Sequence, residues 1–244
     1  MPQPLFNPDD LDAVIFDLDG VLTDTATAHR AAWKELFDEF LRRRFGPNFE
    51  PFSQSDYRRW VDGKPRFDGI RSFLASRKIE LPEGSPSDAA GFDSVYALGR
   101  EKNRRYHEHL EGGEVEVFED SVDCARRLLQ AGLALGLVSS SRNAKLVLEL
   151  AGLDELFSTR VDGLTLAEEG LKGKPDPQIF VEAARRLGAT PDRTAIVEDA
   201  ESGVQAGKAG AFALVVGIAR GDEERRSLLE HGADVVVETL KGCV

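Results

Sequence analysis

The sequence predicts an α/β fold: a doubly wound parallel sheet with an all-helical domain inserted after its first strand. Three observations carry that prediction. Ala13-Val14-Ile15-Phe16 is an apolar, partly β-branched run that stops at two carboxylates, Asp17 and Asp19, and then at Gly20. It reads as a strand buried on both faces. From Ala26 to Leu110 the pattern is helical, with no strand-like run in it. From Val115 onward short buried strands alternate with helices, as in a parallel sheet covered on both sides.

Along the chain, the first strand gives way to a helix in which Ala31, Ala32, Leu36, Phe37, Phe40 and Leu41 recur at helix spacing with charges between them. Further helices are expected over 56–60, 67–76 and 87–110, separated by Gly46-Pro47, Gly63-Lys64-Pro65 and Pro82-Glu83-Gly84-Ser85-Pro86. Asp120 or Ser121 is positioned to cap a helix that runs to Gln130 and stops at Gly132. Strands are then expected at 133–138, 195–197, 213–216 and 234–237. Helices are expected at 143–150, closed by Gly152, at 177–187, closed by Gly188, and at 201–209. The domain division expected is 1–24 with 113–244 for the sheet and 25–112 for the helical insertion, which would sit as a lid above the crevice at the strand ends.

Composition narrows the function classes. The chain has 244 residues, enough for one large α/β domain with a smaller inserted one. With 31 basic and 43 acidic residues its net charge is −12, which argues against a general nucleic-acid or anionic-membrane binder. A few focused cations would still hold a small phosphorylated anion. Cys124 and Cys243 have no metal spacing and suggest no disulfide framework, which fits a reducing cytoplasm. The start, Met1-Pro2-Gln3-Pro4, lacks a basic and then apolar leader, and no apolar run is long enough to span a bilayer. A soluble, cytoplasmic protein is expected.

The chemistry lies in the residues just beyond each strand. Asp17 and Asp19 end the first; two close carboxylates repel and call for a cation or a shared proton. Ser139-Ser140-Ser141-Arg142-Asn143 comes after the second, offering hydroxyls and backbone N–H groups at a helix start, which suits phosphate oxygens. Lys172-Gly173-Lys174-Pro175-Asp176-Pro177 sets a lysine before a proline-stiffened helix start. Glu198-Asp199 ends a further strand. Singly, each reads as an ordinary turn, cap or solvated cation. Jointly they form a nucleophile, a phosphate cradle, a fixed cation and a metal site, the parts that phosphoryl transfer needs.

In these four motifs, present in order over nearly the whole chain, the sequence resembles the haloacid dehalogenase superfamily of phosphotransferases, and within it the β-phosphoglucomutase-like group. The resemblance implies a Rossmann-like catalytic core with an inserted all-helical cap that selects substrate. It implies that Asp17 is the nucleophile, forming an aspartyl-phosphate, and that Asp19 is the general acid/base. It assigns Mg²⁺ to Asp17, Asp19, Glu198 and Asp199, and the transferring phosphoryl oxygens to Ser139, Ser140 and Lys174. In the cap it implies substrate roles for His29, for Gly63 and Arg66 of a specificity loop, and for Lys102 and Asn103. Arg66 would clamp the substrate's second, non-transferring phosphate, and Ser141, Arg142 and Asn143 would be the core's contribution to that second site.

The implied reaction is Mg²⁺-dependent conversion of β-glucose 1-phosphate to glucose 6-phosphate. Hydrolysis of sugar phosphates or related small phosphomonoesters is the alternative, and a non-catalytic binding protein on this fold a more remote one. Lys64-Pro65 stands where mutases have small or hydroxyl residues, Ala200 where serine is frequent, and residues 42–49 enlarge the first helical connection, so mutase and phosphatase both stay open. A metal-free dehalogenase is disfavoured by Asp19 and the Glu198-Asp199 pair, and a receiver-like domain by the chain's length. The expected partner is a small-molecule sugar phosphate, with no nucleic acid and no membrane, for a chain acting as a monomer.

Overall fold

The structure, a computed structural model, describes residues 4–110 and 115–243. The first three residues, read above for a leader, and the expected 112/113 boundary lie outside the described residues. The chain separates into two compact units, Met1–Asp24 with Val115–Val244, and Thr25–Glu114.

The first unit is built on six strands, β1 (Ala13–Asp17), β2 (Ala134–Val138), β3 (Thr159–Val161), β4 (Thr194–Glu198), β5 (Leu214–Ile218) and β6 (Val235–Val237). They form one parallel sheet in the order β3-β2-β1-β4-β5-β6. Every residue of β1 and β4 is buried, as an apolar run in the middle of a doubly covered sheet requires. The strand order reverses between β1 and β4, and ligands of open α/β sheets bind at such a switch point, beyond the carboxyl ends. Register does the rest. Asp17 pairs with Val138, the residue before Ser139, and Phe16 pairs with Val197, the residue before Glu198. Three of the four motifs are thereby brought to adjacent strand ends.

The second unit is helical: α1 (Thr25–Phe45), a short turn α2 (Gln54–Asp56) running into a π-helical segment Tyr57–Val61, α3 (Arg66–Ser76) and α4 (Val95–Leu110). Among its described residues there is no strand. Ser53 and Asp56 cap α2 reciprocally, each accepting from the other's backbone N–H. Of the α1 face read from the sequence, Ala32, Leu36, Phe37, Phe40 and Leu41 are buried, joined by Trp33, while Ala31 is half-buried; Phe37 packs with Phe52 and Phe73 at ring-centroid distances of 4.1–5.0 Å. The helix expected from residue 87 starts only at Val95. Ser94 accepts from the Ala97 N–H and donates to Asp88, and the Val95 N–H bonds to the Pro82 carbonyl. These short polar side chains and the loop carbonyl give residues 87–94 a non-helical set of hydrogen bonds.

The sheet is covered by α5 (Glu119–Gln130), α6 (Ala144–Ala151), α7 (Gly163–Glu169), α8 (Gln178–Leu187), α9 (Glu201–Ala209) and α10 (Asp222–Glu230). Helices α6 and α8 end on the left-handed glycines Gly152 and Gly188, as expected. Neither Asp120 nor Ser121 caps α5. The helix begins at Glu119, and Asp120 accepts instead from Thr239 Oγ1 and the Leu240 N–H. The structure also holds β3, α7 and α10, which the sequence pattern does not reveal. Strand β3 has only three residues, and α10 buries only Leu228 among many charges, so neither shows a strong period.

The cysteines overturn another expectation. Cys124 of α5 and Cys243, 119 residues apart, form a disulfide, and both are buried. The Cys243 carbonyl also accepts from the Phe6 N–H. The cysteine argument for a reducing compartment therefore falls. Among the described residues no helix is long and apolar enough to cross a membrane.

An ion-pair network ties α1 to α4. Arg105 donates to Glu101 at 2.8 Å and to Glu39 at 2.5 Å, while Arg104 and Arg43 bind the same two carboxylates. The Arg104 hydrogen bond, outweighing burial and joined by Arg105, holds the Glu101 pKa down at about 2. A depressed carboxylate pKa stabilises the fold above its unfolded value and loses that contribution as pH falls through the folded one. Glu101→Gln should therefore cost on the order of 2 kcal/mol at pH 7. In thermal melts, the Tm gap from wild type should close between about pH 4.5 and pH 2.

Candidate active site

Asp17 is the last residue of β1 and is 5% exposed. Its Oδ1 accepts from Lys174 Nζ, and the same ammonium donates to Glu198 Oε1. Lys174 and Glu198 are also buried, at 2% and 0% exposure, so the three charges form a desolvated triad. Burial would lower the Lys174 pKa, but Asp17 and Glu198 outweigh it and raise that pKa, keeping the ammonium charged. Burial drives the Asp17 carboxyl well above the usual range, against Lys174, and repulsion from Glu198 and Asp19 adds to the push. One lysine does not neutralise this cluster.

Glu198 is held from both sides. Its Oε2 accepts from the N–H groups of Asp199 and Ala200, each at 3.0 Å. Gly203, on the first turn of α9, leaves it room: a Cβ there would overlap the Glu198 carboxylate. Gly20 does the same for Asp199. Its φ of +90° suits glycine, and a Cβ on it would overlap the Asp199 carboxylate. Carboxylate oxygens of Asp17, Glu198 and Asp199 lie within 4.8 Å of one another. This is a hard, all-oxygen donor set of the kind that suits a small divalent cation such as Mg²⁺.

Ser139, just beyond β2, is 1% exposed and donates to Asp19 Oδ2 at 3.1 Å while accepting from the Ser141 N–H at 3.0 Å. Asp19, Asp17, Ser139, Lys174, Glu198 and Asp199 are therefore brought together at the carboxyl end of the sheet. Ser141 also makes contacts within its own loop. Ser141 Oγ accepts from the Asn143 N–H at 3.1 Å, and the Ser141 carbonyl accepts from the Gly163 N–H at 3.1 Å, so Ser141 braces the loop. Ser140 is half-buried and Arg142 exposed.

Two supports are absent from the sequence-based expectation. Asp162, at the end of β3, caps α7 through the N–H groups of Leu164 and Thr165, and Gly163 then packs under the serine loop. A Cβ on Gly163 would lie 2.7 Å from the Ser140 carbonyl. An Asp-Gly pair before an apolar helical stretch was the available signal. Gly203 is the other, and its position five residues after Glu198 was the clue.

In the helical unit the expected residues form two pairs along α4. Lys102 Nζ contacts His29 Nδ1 and is 2% exposed, with its ammonium 4.5 Å from the Tyr106 ring and 5.2 Å from Trp33. His29 stacks on Tyr106 with ring centroids 4.0 Å apart. Arg66 Nη2 donates to Asn103 Oδ1 at 2.6 Å. Gly63 adopts a φ of +67°, and Lys64 folds back to donate to Ser72 Oγ at 3.1 Å and to the Arg59 carbonyl at 3.3 Å.

Residues 11–210 match the model of haloacid dehalogenase-like hydrolases. The chain is 49% identical to the beta-phosphoglucomutase of Mycobacterium tuberculosis over 96% of its own length and 91% of the relative's. It is 36% identical to the beta-phosphoglucomutase of Bacillus subtilis over 92% of its length and 88% of the relative's. The fold is also similar to a solved structure of beta-phosphoglucomutase from Clostridium difficile, with a TM-score of 0.73 at 24% identity, covering 94% of this chain and 92% of that one. The doubly wound sheet with its helical insertion, the motif residues gathered at the strand ends and these likenesses agree: the chain belongs to the haloacid dehalogenase-like hydrolase family, as a phosphoryl-transferring enzyme of the β-phosphoglucomutase-like group.

Proposed function

We propose that this chain is an Mg²⁺-dependent phosphomutase that interconverts β-glucose 1-phosphate and glucose 6-phosphate through a phosphorylated Asp17. The observation that carries the reading is the Lys174 ammonium buried between Asp17 and Glu198. An ammonium fixed there favours the Asp17 carboxylate over its neutral form and offers positive charge to the oxygens of an incoming phosphoryl group. The likeness to β-phosphoglucomutases supports the sugar.

In the first half-reaction the C6 oxygen of β-glucose 1-phosphate attacks the phosphorus carried by Asp17. The bond from phosphorus to the Asp17 oxygen breaks, and Asp19 takes the C6 hydroxyl proton. After the bisphosphate turns over, the Asp17 carboxylate attacks the C1 phosphorus, the bond to the C1 oxygen breaks, and Asp19 returns the proton to that oxygen. Ser139, donating to Asp19, holds this carboxyl in place. Asp17, Glu198 and Asp199, with Asp19, are the residues that would hold Mg²⁺, which when bound offsets the repulsion between anionic phosphate and carboxylate. Recognition of the phosphate that is not transferred is assigned, within the helical unit, to Arg66, oriented by Asn103.

Incubation with β-glucose 1-phosphate, Mg²⁺ and a trace of the 1,6-bisphosphate should yield glucose 6-phosphate without inorganic phosphate. Steady phosphate release from many sugar phosphates would replace the mutase reading with a phosphatase. Asp17→Asn should abolish turnover and covalent labelling in both cases, and chelation of divalent cations should stop the wild-type reaction. Gly203→Ala pushes the Glu198 carboxylate off its position beside Lys174. It should lower kcat by about 10- to 100-fold in steady-state assays.

A further inference from the structure

Arg220 stands two residues beyond β5, outside all four motifs. Its Nη1 donates to the Gly20 carbonyl at 3.0 Å, and its guanidinium carbon sits 3.7 Å from the centre of the Phe118 ring. Gly20 directly follows Asp19. It also occupies the one place in the loop where the backbone has least intrinsic preference, with φ at +90° and Asp199 where a side chain would be.

The rest of that loop is pinned by its own neighbours. The N–H groups of Leu22 and Thr23 both reach the Leu18 carbonyl, at 3.0 and 3.1 Å, and the Gly20 N–H reaches the Thr23 carbonyl at 2.8 Å. Phe118 is tied to the same loop, because its N–H donates to the Leu22 carbonyl at 2.9 Å, and Thr23 bridges Val117 in antiparallel fashion. The Gly20 carbonyl is reached from outside, across 200 residues of sequence. The guanidinium is planar, so stacking on Phe118 leaves its N–H groups free to aim along the ring plane at that carbonyl. The stack and the hydrogen bond together fix the orientation of the Gly20–Val21 peptide.

We propose that Arg220 is a positioning residue of the phosphoryl-transfer site: stacked on Phe118 and bonded to the Gly20 carbonyl, it holds the backbone that presents Asp19. The proposal rests on the reading of Asp19 as the proton shuttle. It assigns Arg220 no contact with substrate, so it concerns the rate of the chemical step and not ground-state binding.

The test compares wild type, Arg220→Ala, Arg220→Lys and Phe118→Leu by steady-state kinetics, thermal melting and hydrogen–deuterium exchange of the peptide spanning residues 18–24. Arg220→Ala should lower kcat about 10- to 100-fold with KM for the sugar phosphate changed by less than about 3-fold. Exchange in 18–24 should rise about 10-fold or more while Tm stays close to wild type. Arg220→Lys should recover part of the loss, and Phe118→Leu should reproduce a milder form of it. Wild-type kcat and exchange in Arg220→Ala would overturn the proposal, as would a loss of kcat accompanied by faster exchange throughout the chain. A wild-type chain that transfers no phosphoryl group would instead overturn the roles of Asp17 and Asp19. In that case the exchange comparison alone still decides whether Arg220 clamps Gly20.

Discussion

A fully enclosed ammonium is expensive unless opposite charges meet it, and the first unit is arranged around meeting that requirement for Lys174. Asp17 comes from β1 and Glu198 from β4, neighbours in the sheet though 181 positions of chain separate them. The lysine arrives on the segment before α8 and closes the gap. Glu198 in turn depends on the N–H groups of Asp199 and Ala200 and on the bare Cα of Gly203. Remove the parallel pairing of β1 with β4 and these charges lose their partners together. The sheet order is thus an electrostatic condition of the site as well as a packing arrangement.

The helical unit also encloses an ammonium. Lys102 is as buried as Lys174, and its ammonium meets the His29 imidazole and lies near the rings of Tyr106 and Trp33. Its neighbours Glu101 and Arg105 enter a carboxylate–guanidinium network with Glu39. A single helix, α4, therefore carries the residues that join it to α1 alongside the two, Lys102 and Asn103, assigned to substrate. Rigid ion pairs thus stand beside the polar groups to which the proposed function assigns the sugar phosphate.

Much of this is legible in the sequence. Strongly apolar strands such as β1 and β4, and helices closed by glycine such as α6 and α8, announce themselves through local period and backbone preference. Elements with little buried surface do not. Strand β3 and helix α10 escape detection for that reason, and the start of α4 is displaced because Asp88 and Ser94 bind each other and the backbone. The same limit hides Asp162 and Gly163, whose work is done against a loop more than twenty residues earlier in the chain.

By itself the sequence determined the class of fold, the order of its elements and the residue types at four strand ends, because strand and helix periods and turn residues act over a few positions. Only the tertiary structure decided who meets whom. Lys174 reaches Glu198 as well as Asp17, Ser139 reaches Asp19, Arg220 reaches Gly20, and Cys124 bonds to Cys243. Ser141 turns to brace its own loop, and Asp120 leaves the cap of α5 for the chain's C-terminal segment. Most of these contacts join residues far apart in sequence, so they follow from strand order and register, which no local pattern encodes.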